Sequence, residues 1–247
     1  DHVGASAYFL KRFPVPVYAT DFTRGVLQGK ITEMGLQNTD VRELLYNEPL
    51  TIGSLTIDPI YINHSILDAA ALLISSDSTR IMHLTDFKID HASPDGRVTD
   101  LARFKKTGEQ GLDALLLDST NVFSLGWTAS ESVVRANLFQ EFTNIRGRII
   151  ACLFASNMYR VQSLFECARI TGRKIALTGR STKEYYRIAA SLDRLKLAGL
   201  EFYDVEDISR FPDEEILVIA TGSQAEARSV LSRMAKGMFG PFQIKPG

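Results

Sequence analysis

Two aspartates and two histidines in the first third of the chain have side chains of the types that bind transition metals: Asp1, His2, His64 and Asp86. His64 follows one strand-like apolar run and Asp86 follows another, so we expect both at one rim of a sheet. Imidazole and carboxylate ligands suit zinc or manganese, and a carboxylate can bridge two ions. A lone histidine at a strand end is also a common hydrogen-bonding residue, so the spacing alone leaves a structural role open.

Three short polar segments in the second half of the chain have the composition of phosphate-binding loops. They lie at 155–157, 179–181 and 221–224, and each follows an apolar strand-like run and precedes a helix-like one. In a parallel sheet such loops meet at the carboxyl ends of the strands. Free N–H groups at helix N-termini bind phosphate, whereas simple helix capping by Ser and Asn is the structural alternative.

The elements that must position these residues follow from hydrophobic periodicity. In the first part, strands are predicted at 16–20, 55–62, 70–75 and 80–85, a buried strand at 114–117, and helices at 23–35 and 99–106. From about residue 128 the order becomes regular, with strands predicted at 148–154, 174–178 and 216–220 and helices ending near 170, 192 and 236. We therefore expect an α/β chain whose second part is a doubly wound parallel sheet.

Composition and charge narrow the class of protein. The 247 residues are 45% hydrophobic and 23% charged, as in soluble globular proteins, and no apolar run approaches the ~20 residues that span a bilayer. Cys152 and Cys167 lie in apolar stretches without CxxC spacing and are predicted to be buried free thiols, which suits a reducing compartment. The net charge is −1, yet segment 141–194 holds ten basic and four acidic residues. This excess of basic residues fits either binding of a phosphate backbone or solvated helix faces.

The candidate metal ligands lie in segments that resemble motifs of the metallo-β-lactamase superfamily as they occur in the ribonuclease J family. Residues 1–5 (DHVGA) resemble the end of the H-x-H-x-D-H-I-G signature, and residues 64–66 (HSI) are similar to the third metal motif. Residues 85–88 (TDFK) resemble the fourth motif, usually T-G-D-F-K, with Thr85 in place of the glycine. Residues 116–121 (LLDSTN) are similar to the first motif of the β-CASP nuclease branch.

The polar loops carry the same resemblance into the second half of the chain. Segments 154–157 (FASN), 179–181 (GRS) and 221–224 (TGSQ) recur in ribonuclease J proteins in this order. The resemblance covers nearly the whole chain and implies two domains. Residues 1–127 would be part of a metallo-β-lactamase αββα core, and residues 128–247 would be a nucleic-acid-binding β-CASP domain.

The resemblance also implies a mechanism with two divalent metal ions, most simply zinc, with manganese as the second choice. Asp1 and His2 would bind one ion, His64 would bind the other, and Asp86 would bridge both. Asp118 would orient ligands or handle a proton, which makes Asp1 and Asp118 the candidate catalytic residues.

The implied substrate is single-stranded RNA, cut internally and from the 5′ end. The candidate RNA and phosphate contacts are Ser156, Asn157, Arg160, Arg180, Ser181, Ser223 and Gln224. Trp127 and Phe154 have rings that could stack on bases, but core packing is the favoured prediction for both. The implied partners are RNA and a second copy or paralogue of the full-length protein, in a homo-oligomer (dimer or tetramer), in the cytoplasm and without a membrane.

Departures from the family pattern leave alternatives open. The family's two upstream histidines would precede Asp1, and its last histidines would follow Gly247. Both ends of the chain are therefore interpreted as interior positions of a longer protein. The chain alone is expected to be inactive. Tyr159 stands where many relatives have histidine, which we interpret as a tolerated change. The alternatives are a β-CASP nuclease acting on DNA or on messenger-RNA 3′ ends, and a catalytically inactive RNA-binding subunit. A metal-free nucleotide-binding fold is disfavoured because neither G-x-G-x-x-G nor G-x-x-x-x-G-K occurs.

Overall fold

The computed structural model describes residues 2–224, 226–240, 242 and 244, and the chain divides into two compact units, 1–132 and 133–247. Both units mix helices and strands, so the predicted α/β class is confirmed. No helix in the described residues is long and apolar enough to cross a membrane.

The described residues of the first unit, 2–132, form three complete helices and two sheets. Its helices are α1 (Ser6–Arg12), α2 (Asp21–Glu33) and α3 (Leu101–Glu109). A two-stranded parallel sheet pairs β1 (Val17–Ala19) with β2 (Val41–Glu43). The larger sheet has the order β3-β4-β5-β6-β7 and consists of β3 (Leu50–Ile52), β4 (Leu55–Tyr61), β5 (Ala70–Ser75), β6 (Arg80–His83) and β7 (Ala114–Leu116). Its pairs are antiparallel except for β6 and β7, which run parallel.

The packing of the first unit follows its hydrophobic pattern. Helix α2 buries Phe22, Val26, Leu27 and Ile31, which form two i, i+4 pairs that together occupy about half of the helix circumference. A separate cluster on the larger sheet is formed by Ile60, Ile62, Ala71, Leu73 and Met82.

The strand predicted at 114–117 is present, but the prediction that it is buried is wrong. β7 lies at the edge of the sheet with β6 as its neighbour, and the side chains of Leu115 and Leu116 are about half exposed. An apolar run alone does not distinguish a central strand from an edge strand, because that difference depends on which segments pair beside it.

The second part of the chain is built around a three-stranded parallel sheet of order β8-β10-β9. Its strands are β8 (Ile149–Cys152), β9 (Lys174–Leu177) and β10 (Ile216–Ala220), with a 3-10 turn at Asp213–Glu215. Its helices are α4 (Glu131–Asn144), α5 (Met158–Thr171), α6 (Arg180–Ser191), α7 (Val205–Ile208) and α8 (Val230–Ala235). Every residue of β10 is buried, as expected for the central strand of a parallel sheet.

Two local predictions for the second part, and one for Trp127 in the first unit, differ from the structure. The last helix begins at Val230, well after the expected start near Gln224. Phe154 is 50% exposed and Trp127 in the first unit is 87% exposed, so the prediction that both pack in the core is wrong. Both cysteines are free thiols as predicted, with Cys167 buried and Cys152 partly buried.

Candidate metal centre and phosphate-binding loops

The topology of the larger sheet brings three candidate residues to one edge. β4 and β6 are each antiparallel to β5, so they run in the same direction, and β7 is parallel to β6. Their carboxyl ends therefore share one edge of the sheet. His64 follows β4, Asp86 follows β6 and Asp118 follows β7 within three residues of each strand's end.

Both described histidines of the candidate site face one carboxylate oxygen. Oδ2 of Asp86 lies 3.1 Å from Nε2 of His2 and 3.9 Å from Nε2 of His64. The His64 side chain is 18% exposed and that of Asp86 is 36% exposed, so the pair is shielded but reachable from solvent. Asp1, the remaining predicted ligand, lies outside the described residues.

The environment of His64 favours the form of imidazole that binds metals. Burial lowers the pKa of His64 below its ordinary value, and the nearby Asp86 carboxylate opposes this by raising it. Because the net direction is downward, the ring is neutral at neutral pH. A neutral ring offers a nitrogen lone pair to a metal.

Asp118 is held as a carboxylate by the turn that follows it. The hydroxyl and the backbone amide of Thr120 both donate to Asp118, the amide to Oδ1 at 2.9 Å, and these bonds lower the pKa of Asp118. His64 contributes a smaller lowering, which places Asp118 within electrostatic reach of the other two strand-end residues.

The motif position at which Thr85 replaces glycine shows no backbone requirement for glycine. Thr85 is absent from the non-glycine residues of positive φ, which are Asn38, Asn47, Asp68 and Asp193. The turn before Asp86 therefore accepts a side chain, and the carboxylate reaches the rim regardless of the substitution.

The donor chemistry of this rim fits divalent metal ions of the zinc or manganese type, since it combines imidazole nitrogens with carboxylates. The ligand set is nevertheless open. Among the described residues, no group of three or more His, Cys, Asp or Glu side chains is placed to hold a metal ion. His2 and His64 each pair with Asp86, and closing a coordination shell around them requires further ligands.

A cavity of about 260 Å³ in the first unit is lined by both histidines. Its other lining residues include Val17, Leu27 and Ile66, so its wall is largely apolar. Apolar walls beside polar ligands lower the local dielectric and strengthen the electrostatic interactions within the site.

The three polar loops of the second unit leave the same edge of its sheet. Because β8, β9 and β10 are all parallel, the loops after Cys152, Leu177 and Ala220 all lie at their carboxyl ends. The second and third loops also touch, since a Cβ at Gly179 would lie 3.4 Å from the Val230 side chain and 3.7 Å from that of Thr221. This arrangement is the one predicted from strand–helix alternation.

Helix capping accounts for one of these loops. Oδ1 of Asn157 accepts a hydrogen bond from the Arg160 amide at 3.0 Å and so caps α5. Ser181 is not the cap of α6, because that position is Gly179, which has no side chain to offer. The structure therefore removes the capping alternative for Ser181.

In the third loop, the candidate phosphate contacts and the helix cap are different residues. Ser223 and Gln224 are exposed in a turn, and the cap of α8 is Ser229. The buried Ser156 is the remaining serine of the candidate phosphate contacts.

The chain is similar to known ribonucleases. The family described as Ribonuclease J, beta-CASP domain, matches residues 146–247. All of the chain aligns with Ribonuclease J of Helicobacter pylori at 37% identity over 248 residues and with that of Thermus thermophilus at 35% over 255 residues. Ribonuclease J 1 of Streptococcus pyogenes is 34% identical over 248 residues. These matches support the chain as a fragment of the ribonuclease J family.

The alignment covers the whole chain but only part of each relative. The chain spans 36% of the Helicobacter pylori ribonuclease J and 44% of the Thermus thermophilus and Streptococcus pyogenes proteins. A crystal structure of a protein of unknown function from Enterococcus faecalis V583 matches 83% of the chain and 53% of its own length, with a TM-score of 0.57 at 12% identity. At that identity the likeness supports the fold alone.

The basic excess of segment 141–194 is less accessible to an anionic ligand than the number of its basic residues suggests. Arg173 is buried and donates to three backbone carbonyls, those of Gly147, Ile216 and Ile145. Three further basic side chains pair with acidic residues beyond position 194, in the ion pairs Arg148–Asp213, Lys174–Glu215 and Lys183–Asp204. Much of the charge in segment 141–194 is therefore neutralised or buried.

Two buried polar residues beside the candidate metal ligands were not predicted from the sequence. Asn63 and Thr99 lie 36 positions apart and share three hydrogen bonds. Both are buried, which is rare for residues of these types unless they are hydrogen-bonded. The available signal was the place of Asn63 directly before His64, but nothing in the sequence indicates which partner it meets.

Proposed function

We propose that this chain is part of a metal-dependent ribonuclease that hydrolyses phosphodiester bonds of single-stranded RNA, internally and from the 5′ end. The observation that carries the proposal is the meeting of His2 and His64 at Oδ2 of Asp86, on the sheet edge that Asp118 shares. The similarity to ribonuclease J proteins supports RNA as the substrate.

In this proposal His2, His64 and Asp86 hold divalent ions, zinc first and manganese second, with Asp1 as a further ligand. Such ions supply Lewis acidity, which activates water at neutral pH and stabilises charge on the phosphate oxygens. Nε2 of His2 and Oδ2 of Asp86 lie 3.1 Å apart, a separation at which both atoms could bind one ion. Asp118, kept ionised by Thr120, accepts a proton or orients its neighbours.

The loops of the second unit bind the RNA backbone in this proposal. Arg180 and Ser181 begin α6, whose cap residue Gly179 makes no side-chain cap hydrogen bond. The N-terminus of a helix favours phosphate oxygens. Ser156, Asn157 and Arg160 at α5 and Ser223 and Gln224 after β10 extend the same sheet edge, and their contacts would hold the strand without reading its sequence.

A catalytically inactive RNA-binding subunit is the second candidate, because the described residues do not close a ligand set. A nuclease acting on DNA or on messenger-RNA 3′ ends would use the same rim. We also propose that the full-length gene product acts in the cytoplasm as a homo-oligomer, a dimer or tetramer. Its mass in sedimentation equilibrium tests that assembly.

The decisive experiment compares the full-length gene product with its Asp86→Ala variant. Cleavage of a 5′-monophosphorylated single-stranded RNA should be lost in Asp86→Ala, with lower bound metal and retained RNA affinity. Asp77→Ala, an exposed aspartate in the first unit, is the matched control and should behave as wild type. A wild-type protein that binds this RNA but never cleaves it would support the inactive subunit, and faster cleavage of the same sequence as DNA would support the DNA nuclease.

A further inference from the structure

The two loops that carry His64 and Asp86 are not joined by the regular pairing of the sheet. β5 lies between β4 and β6, so no strand ladder connects the ends from which these loops emerge. Metal sites tolerate errors in ligand distance of only about 0.2 Å. Some other contact must therefore set the separation between the imidazole and the carboxylate.

Asn63 supplies one half of that contact. It lies between β4 and His64, and only 3% of it is exposed. Its Oδ1 accepts from the Thr99 amide at 2.7 Å, and its Nδ2 donates to the Arg97 carbonyl at 2.8 Å. Its own carbonyl accepts from the Lys88 amide at 2.8 Å, which ties it directly to the loop that carries Asp86.

Thr99 supplies the other half. Its hydroxyl accepts from the Asn63 amide at 2.9 Å. The hydroxyl proton has two acceptors in reach, the Lys88 carbonyl at 3.3 Å and Oδ1 of Asn63 at 3.1 Å. One buried hydroxyl thus contacts the residue before His64 and the second residue after Asp86.

The far end of the His64 loop is fastened to the same short segment. Asp68, which is 3% exposed and has φ of +57°, accepts from the Arg97 guanidinium at 2.7 Å. That guanidinium also lies 4.1 Å from the centre of the Tyr61 ring. Residues 97–99 therefore hold the loop at both ends, so His64 lies in a segment with little freedom to shift.

We propose that Asn63 and Thr99 are positioning residues that set the distance between His64 and Asp86. The inference rests on the proposed function, because it concerns the same candidate metal centre. A purely structural role would also require these buried groups to be paired, but it would not connect their loss to the metal. The two roles therefore differ in what a small change at Thr99 does to metal binding.

The test uses the full-length gene product with Thr99→Val, which keeps the shape of the side chain and removes its hydroxyl. We expect Co²⁺ affinity and kcat to fall about ten- to a hundredfold, the typical effect of residues that orient ligands, with KM for RNA unchanged. The visible spectrum of bound Co²⁺ should change, and in the metal-free protein the Lys88 amide should exchange its hydrogen faster. Thr99→Ser, which restores the hydroxyl, should return all four readouts to wild type.

Thr107→Val is the matched control, since Thr107 is a buried threonine of α3 in the same unit. It should leave Co²⁺ affinity and the spectrum unchanged even if it lowers the melting temperature. If Thr99→Val does not fold, Asn63→Asp takes its place, because it keeps the acceptor for the Thr99 amide and loses the donor to the Arg97 carbonyl. The same loss of Co²⁺ affinity is expected.

Wild-type Co²⁺ affinity and spectrum in whichever of these two variants folds would overturn the positioning role. Loss of cleavage in Asp86→Ala alongside that result would leave the proposed function standing. Full cleavage by Asp86→Ala would instead remove the proposed function and the positioning role with it, so the two failures are distinguishable.

Discussion

Ser229 caps the last helix by accepting a hydrogen bond from the Ser232 amide at 3.2 Å. Ser223, earlier in the same loop, is exposed and lies outside the helix. The loop thus contains one serine that serves the fold and another whose hydroxyl is accessible to a ligand.

This separation predicts opposite effects for two otherwise equal substitutions. Ser223→Ala should lower RNA affinity about ten- to a hundredfold, the loss expected for a charge-assisted bond of roughly 1.5–3 kcal/mol, without changing stability. Ser229→Ala should lower the free energy of unfolding by about 1 kcal/mol and leave affinity unchanged. Filter binding and urea unfolding measure the two quantities. Normal RNA binding by Ser223→Ala would remove that residue from the phosphate contacts.

Asn157 combines both roles, and a change of charge separates them. Aspartate caps helices as well as asparagine does, so Asn157→Asp should keep the stability of the protein. Its added negative charge should repel a backbone phosphate and weaken RNA binding, most strongly at low salt. Titration of RNA binding at two salt concentrations checks this. Equal affinity of the variant and the wild type at low salt would show that phosphate does not approach α5.

Gly222 occupies a position that no side chain fits. Its φ is +127°, and a Cβ there would lie 2.7 Å from Ser229 Oγ and 2.8 Å from Leu231 Cβ. We expect Gly222→Ala to destabilise the second unit by about 1–3 kcal/mol, the usual cost of a residue in a disallowed region. Thermal unfolding gives the value. Gly147→Ala, where a Cβ would meet nothing within 4 Å, should be close to neutral, and an equal loss in both variants would contradict the steric cause.

Arg173 stabilises the second unit through its three carbonyl contacts rather than by binding RNA. Burial lowers the pKa of its guanidinium, which still stays charged at neutral pH. Arg173→Met should reduce the free energy of unfolding by about 3 kcal/mol or more, because several buried acceptors lose their donor. Arg169→Met, at an exposed arginine of α5, is the control and should change stability little. Chemical denaturation distinguishes them, and unaltered stability in Arg173→Met would refute the assignment.

The two thiols should differ in reactivity. Burial raises the pKa of Cys167 to about 11 and also raises that of Cys152, which is more accessible. Because the thiolate is the reactive form, alkylation at pH 8 should be slow at both and slower at Cys167. Mass spectrometry of peptides from native and urea-unfolded protein measures the order. Faster labelling of Cys167 in the native protein would contradict its burial.

The secondary structure of the second unit was predictable because it depends on short stretches of sequence. The run at 216–220 is apolar throughout and forms the central strand, and Gly172 ends α5 with φ of +69° as its position after the last helical residue predicts. The strand-end positions of His64 and Asp86 were also predictable, because an apolar run ends just before each of them. That the two strand ends share one rim follows from the pairing of β4 and β6 with β5.

Other features depended on segments that meet only in the folded chain. The sequence did not predict the exposure of Trp127 and Phe154, because the type of an aromatic residue alone favours a place in the core. The cap of the last helix was misplaced because the loop after β10 folds back at Gly222 before the helix begins.

The sequence by itself determined the α/β class, the strand-end residues and the resemblance to ribonuclease J, because periodicity and motifs are local properties of the chain. Tertiary structure alone decided which neighbours those residues meet. Oδ2 of Asp86 contacts residues 84 and 22 positions away, and Asn63 is joined to Thr99 across 36 positions. Contacts of this kind form only in the folded chain, because residues so far apart in sequence come together only through tertiary structure.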